Sequence, residues 1–269
     1  MQRNVPVLAG FFWMALLACN DDRTGTKPAD TAPSAPKQET VQLPEVPADL
    51  PDSSREQLIE QLASRGQYAQ AMEQVDVLLQ KNPTNPAWLY MKADALEKSA
   101  DTAGAINHYQ QAINAAGLFV AAEMRLANLY AETGNTKALQ VINGLLKQPS
   151  ALRLRSDLLM IQGIYYSKIK DSKKALATYN QIIKEDYSYL DAYIEKGLVY
   201  YDENRFEEAR KIFLLTTTLK NSFADGYYWM ARCEEKLNKK EEALNNYKRA
   251  LALDQSLTEA REGISRLKK

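Results

Sequence analysis

Histidine is nearly absent from this 269-residue chain: His108 is the only one, which rules out a multi-histidine metal site and leaves a Ser-His-Asp triad one arbitrary base. Cysteine is almost as scarce. Cys19 and Cys233 are the only two, which excludes a disulfide framework and any multi-cysteine metal site. Net charge is missing too, with 34 basic and 34 acidic side chains, so no overall basic field exists to hold nucleic acid. No glycine-rich phosphate cradle occurs, and no apolar run reaches the roughly 20 residues of a permanent transmembrane helix. The expectation is a binding protein, not an enzyme, that needs no cofactor. Carboxylate pairs such as Glu207-Glu208 and Glu241-Glu242 fall at helix starts, where they favour the helix dipole without any catalytic role.

What is present begins with an address. Arg3 precedes an apolar run from Val5 to Leu17, and the small Ala18 stands before Cys19, which is the order of a secretory signal. Leu16-Leu17-Ala18-Cys19 resembles the lipobox of bacterial lipoproteins, in which the chain is cut before the cysteine and the thiol is diacylated. The resemblance implies a signal peptide over 1–18 and a lipid on Cys19. It places the protein in the cell envelope, on the outer membrane in the first instance, facing the periplasm or the cell surface. Residues 19–51 then hold six prolines (Pro28, Pro33, Pro36, Pro44, Pro47 and Pro51) and few apolar side chains, which predicts a disordered tether. Such a leash spans about 30 Å as a flexible coil and about 90 Å in polyproline II.

The rest of the chain repeats itself. Ala71, Ala105, Ala138, Ala175, Ala209 and Ala243 are separated by 34, 33, 37, 34 and 34 residues. Four residues past these alanines stand Tyr109, Tyr179, Phe213 and Tyr247, with Ala112 and Ala250 seven residues past, offsets that share one helix face. Twelve residues before an alanine comes a small residue in four repeats: Ala93, Gly163, Gly197 and Ala231. Tyr130, Tyr166 and Tyr200 follow the small position, and turn signals appear at Arg65-Gly66-Gln67-Tyr68, Thr133-Gly134-Asn135 and Asn82-Pro83. This constellation resembles the tetratricopeptide repeat family, a 34-residue helix-turn-helix unit. The implied fold is an all-α, right-handed superhelical solenoid of six helix pairs over 52–255, with a polar-faced capping helix over 256–269. Ser256 and Glu259 predict a capping box for that helix. Departures are Leu89, Leu159, Tyr193 and Tyr227 at the family's tryptophan position, and three extra residues between the third and fourth repeats.

In that family the first helix of each pair lines a concave groove that holds a partner. The resemblance carries this role to Tyr90, Asp94 and Lys98 in the second repeat, and to Met124 and Asn128 in the third. In the fourth it points to Met160, Ile164 and Lys168, and in the fifth to Ile194, Leu198 and Tyr201. Tyr228, Arg232 and Lys236 complete the set. Met124, Met160, Ile164, Ile194, Leu198 and Tyr201 together predict an exposed apolar strip suited to an amphipathic helix or extended peptide. The lysine and asparagine set of the chaperone carboxylate clamp is not found.

Charge is uneven: residues 51–135 carry 6 basic and 10 acidic side chains, and residues 136–269 carry 24 and 18. The leading expectation is a membrane-anchored adaptor that binds envelope proteins. The alternative is a lipoprotein that uses some of the chain's 15 tyrosines to capture glycans or peptides. If Cys19 carries the anchor, Cys19→Ser moves the protein from the membrane fraction to the soluble one, and an unchanged distribution refutes lipidation there.

Overall fold

The structure is a computed structural model that describes residues 47 and 49–268; Cys19, the signal peptide and nearly all of the tether lie outside the described residues. Thirteen α-helices follow one another, with no strand among the described residues. The first repeat is α1 (Asp52–Ser64) with α2 (Tyr68–Lys81), and the second is α3 (Pro86–Lys98) with α4 (Thr102–Ala116). The third is α5 (Val120–Glu132) with α6 (Lys137–Leu146), after which a 3-10 helix over Pro149–Leu154 takes up the extra residues. Then come α7 (Arg155–Lys168) with α8 (Ser172–Glu185), and α9 (Leu190–Asp202) with α10 (Phe206–Leu219). The sixth pair is α11 (Ala224–Lys236) with α12 (Lys240–Leu253), and α13 (Thr258–Leu267) packs on α12.

Each second helix is held by the same three positions. The repeated alanine and the residues four and seven beyond it expose no surface in any of the six pairs, from Ala71, Val75 and Leu78 to Ala243, Tyr247 and Ala250. A bulky side chain at the middle position demands a small residue opposite. A methyl group on Gly163 would meet the Tyr179 ring at 2.3 Å, and one on Gly197 would meet the Phe213 ring at 2.4 Å. Ala93 and Ala231 fill the same place in their repeats and are wholly buried. Buried phenols still need partners. Tyr109 donates to Glu97 at 2.8 Å and Tyr247 to Glu235 at 2.7 Å, while the Tyr179 hydroxyl lies 3.1 Å from that of Ser167.

The turn inside each pair passes through one residue with positive φ: Gly66, Ala100, Gly134, Lys170, Asn204 and Asn238, at 59° to 75°. Glycine and asparagine suit that conformation, whereas Ala100 and Lys170 each give up roughly 1 kcal/mol to adopt it. Three helices gain side-chain caps, Asn85 accepting from the Ala87 and Trp88 amides, Asp101 from the Gly104 amide and Asp171 from the Lys174 amide. The expected capping box at Ser256 does not form. The Ser256 amide and hydroxyl both donate to Asp254, so the chain makes a turn there and α13 starts two residues later. Glu259 accepts from the Thr258 hydroxyl instead.

First helices of neighbouring repeats touch directly, as in α5 with α7, α7 with α9 and α9 with α11, and second helices make no comparable contact. The first helices therefore form the inner, concave side and the second helices the outer one. Even across the 3-10 insertion, α5 and α7 stay packed. Two glycine substitutions test the packing rule with opposite signs. Gly197→Val is expected to lower unfolding free energy by about 1–3 kcal/mol through overpacking against Phe213. Gly144→Ala, with open space around it, should raise it by about 0.5–1 kcal/mol. Denaturant midpoints measure both, and equal effects would remove the claim that the small residue is sterically required.

Candidate partner-binding groove

On the concave side the side chains fall into three zones. In the second and third repeats, Arg125 pairs with Asp94 at 3.2 Å and Glu97 at 3.1 Å, and its Nε donates to the Tyr109 hydroxyl at 3.4 Å. Lys98 pairs with Asp94 at 2.7 Å. Tyr90 packs against the rings of Tyr109 and Phe119, with centroids 5.4 and 5.3 Å away. Burial raises the Glu97 carboxyl above its usual range, while Arg125 and the Tyr109 hydroxyl pull it back. Met124 and Asn128 are half-buried beside this cluster.

The middle zone departs from expectation. Met160 and Ile194 are buried, at 5% and 8% exposure, and Met124, Ile164, Leu198 and Tyr201 are half-buried. The apolar strip is therefore not open, because adjacent first helices approach closely enough for these side chains to pack on one another. Lys168 is exposed and pairs with Glu132 at 3.0 Å. Beside that pair, the Glu195 carboxyl of α9 lies near the hydroxyl of the buried Tyr179 of the preceding repeat. Burial, then the neighbouring Glu132 and Asp191 carboxylates, push the Glu195 carboxyl up to about 7 against the pull of Lys168.

The third zone belongs to Arg232. Its guanidinium donates to the hydroxyl of Tyr228 at 2.8 Å and of Tyr201 at 3.5 Å, and lies 5.6 Å from the centre of the Trp229 ring. No carboxylate stands within ion-pair distance of it among the described residues. Nearby Glu235 is occupied by both Arg266 and Tyr247. Tyr228 is buried, and Lys236, one turn beyond Arg232, is exposed.

One position escaped the sequence reading. The residue two before the small one lies against the central side chain of the previous second helix: Arg125 on Tyr109, Glu195 on Tyr179, and Trp229 stacked on Phe213 at 5.9 Å. Apolar Met91 and Ile161 occupy the same register in other repeats, so a charge there was a visible anomaly. The residues singled out for possible chemistry have structural surroundings. His108 donates from Nδ1 to the Gly104 carbonyl at 2.9 Å, and Cys233 is fully buried with its thiol pushed up to about 12, mainly by that burial.

Glu195 makes stability depend on pH. Its folded value is raised above the ordinary 4.5, so ionisation costs stability as pH climbs from about 4.5 to about 7, and the cost is absent below that window. Glu195→Gln is expected to unfold about 1–2 kcal/mol harder than the parent at pH 8 and to match it at pH 4. A difference independent of pH in denaturant titrations would refute the assignment.

Comparison with known proteins agrees with this architecture. The tetratricopeptide repeat pattern matches residues 90–151 and 162–222, and a second pattern of the same family matches 224–257. No match is found among curated proteins. Among solved structures, PilW, a widely conserved type IV pilus biogenesis factor, is 14% identical and superposes with a TM-score of 0.64 over 81% of this chain and 98% of its own. PilF of Pseudomonas aeruginosa is 15% identical over 80% of this chain and 96% of its own, with a TM-score of 0.53. Yeast Tom70 is 13% identical with a TM-score of 0.57 over 74% of this chain, which spans 42% of that protein. At these identities the likeness concerns the fold. With more than half the chain matched and six helix pairs packed on one repeating contact, the protein belongs to the tetratricopeptide repeat family.

Proposed function

We propose that this protein is a lipid-anchored adaptor of the bacterial cell envelope that holds a partner protein, as a helix or extended peptide, in the groove of its first helices. The observation that carries the reading is Arg232. A half-buried guanidinium that faces the groove, held by two phenols and by no carboxylate, retains capacity for an acidic group of a partner. Half-buried Leu198 and, farther along the groove, Ile164 offer apolar contact, and Lys168 and Lys236 supply an exposed basic margin. Acidic Asp94 and Glu97 lie toward the other end, already neutralised by Arg125 and Lys98. The groove thus has polarity, and an extended partner fits best with its acidic part at the fifth and sixth repeats.

The lipobox and the tether support the membrane setting, and the PilW likeness is compatible with an envelope assembly role. Capture of small glycans on tyrosines is the weaker reading. Tyr109, Tyr179 and Tyr247 are wholly buried, and Tyr201 and Tyr228 already engage Arg232. Affinity capture from native membranes tests the groove. The variant Ile164→Asp with Leu198→Asp avoids the core positions Met160 and Ile194, and it should cut recovery of a bound partner at least about tenfold while retaining its helical melting transition. Undiminished recovery by a folded variant would refute the groove assignment.

A further inference from the structure

The outer face of α10 is unlike that of any other second helix. Five and six residues past the repeated alanine stand Asp76-Val77, Gln110-Gln111, Asn143-Gly144, Asn180-Gln181 and Lys248-Arg249, but in α10 the pair is Leu214-Leu215. Both leucines are exposed, at 43% and 46%, and Leu219 one turn on and Leu253 one repeat on are exposed at 43% each. None of these side chains is needed by the core, which the inner face of each helix supplies. Cations frame them. Lys211, Lys220, Lys248 and Arg249 are all exposed, and none lies within ion-pair distance of a carboxylate among the described residues. The acids of this side gather at the opposite helix ends, at Glu207, Glu208, Glu241 and Glu242. Asp191 feels the Lys220 charge without pairing with it, and Asp254 accepts from Ser256.

From this we infer that the outer face of the fifth and sixth repeats docks on an anionic lipid bilayer, with Leu214, Leu215, Leu219 and Leu253 entering the interface and the four cations meeting headgroups. The charge pattern selects the occupant. A second copy of this chain would set the same cations against each other across a two-fold interface. A partner helix needs a groove to lie in, whereas these leucines project from the outer side of the array. A fluid anionic surface accepts a projecting apolar patch with a basic rim. This inference goes beyond the groove reading and does not depend on it.

The test uses the full chain carrying Cys19→Ser, so that no covalent lipid contributes, and sedimentation with vesicles of phosphatidylcholine with or without phosphatidylglycerol. Binding is expected only to the anionic vesicles and should fall as salt rises. Leu214→Ser with Leu215→Ser and Leu219→Ser should weaken it at least about tenfold, and each of Lys211→Gln and Lys248→Gln roughly fivefold. The groove variant should bind vesicles normally, which separates failure of this inference from failure of the groove. The inference is overturned by no binding to anionic vesicles, or by binding that the folded leucine variant retains. It is equally overturned if the leucine substitutions instead abolish self-association or recovery of a protein partner while vesicle binding persists.

Discussion

A ring of the second helix laid on a small residue of the first sets the spacing of four of the six helix pairs, and the array takes its dimensions from that contact. Where the ring is Tyr179 or Phe213, the opposing residue is glycine, and an added methyl group would fall inside the ring's contact distance. The polar side of the contact is tuned in step. Three rings carry a hydroxyl, and the residue four past each small position answers it: Glu97, Ser167 and Glu235. In the fifth repeat the ring is Phe213, which has no hydroxyl to satisfy, and an aromatic residue, Tyr201, stands there instead. Burying a phenol without a partner costs on the order of 1–3 kcal/mol, enough to explain why the two positions change together.

This is also why the fold was legible and the groove was less so. Residues that pack within one repeat leave a signature at fixed offsets, and Ala71 to Ala243 announce it before any coordinate is known. Turn residues are half legible: Gly66, Gly134, Asn204 and Asn238 suit a positive φ, but Ala100 and Lys170 adopt it because the packed helices on either side leave no other path. Ser256 misled because its spacing to Glu259 fits a capping box, yet Asp254 competes for the same hydroxyl. The apolar strip misled for a different reason. Whether Met160 and Ile194 are open depends on how closely neighbouring first helices approach, which is a property of the superhelix and not of any one repeat.

Contacts between repeats are less uniform than those within them. At the position that reaches back to the previous repeat, Arg125 brings an ion-pair cluster, Trp229 brings an aromatic stack, and Glu195 brings a carboxyl that resists ionisation. In a solenoid, stability is close to a sum of repeat and nearest-neighbour terms, so these junctions need not be equally strong. The fourth repeat lies between the 3-10 insertion on one side and Glu195 on the other. Near neutral pH, ionisation of Glu195 opposes the packing of α9 beside the Tyr179 end of α8.

The arrangement of charge differs between the two sides. Carboxylates on the concave side are mostly satisfied from within, Asp94 and Glu97 by Arg125, and Glu235 by Arg266. Arg232 is left with neutral partners, and a guanidinium in that state gains more from an arriving anion than one already paired. On the outer side, cations beyond ion-pair distance of any carboxylate among the described residues stand near leucines that the core does not use. If the outer side of the fifth and sixth repeats rests on a bilayer, the groove of the same repeats faces away from it, so Arg232 and Lys236 stay open to a partner while the leucines meet the lipid. A groove that turned toward the lipid would let anionic headgroups compete with the partner's acidic group for Arg232. The separation of the two surfaces onto first and second helices avoids that competition, and the helix-pair repeat supplies it without any further device.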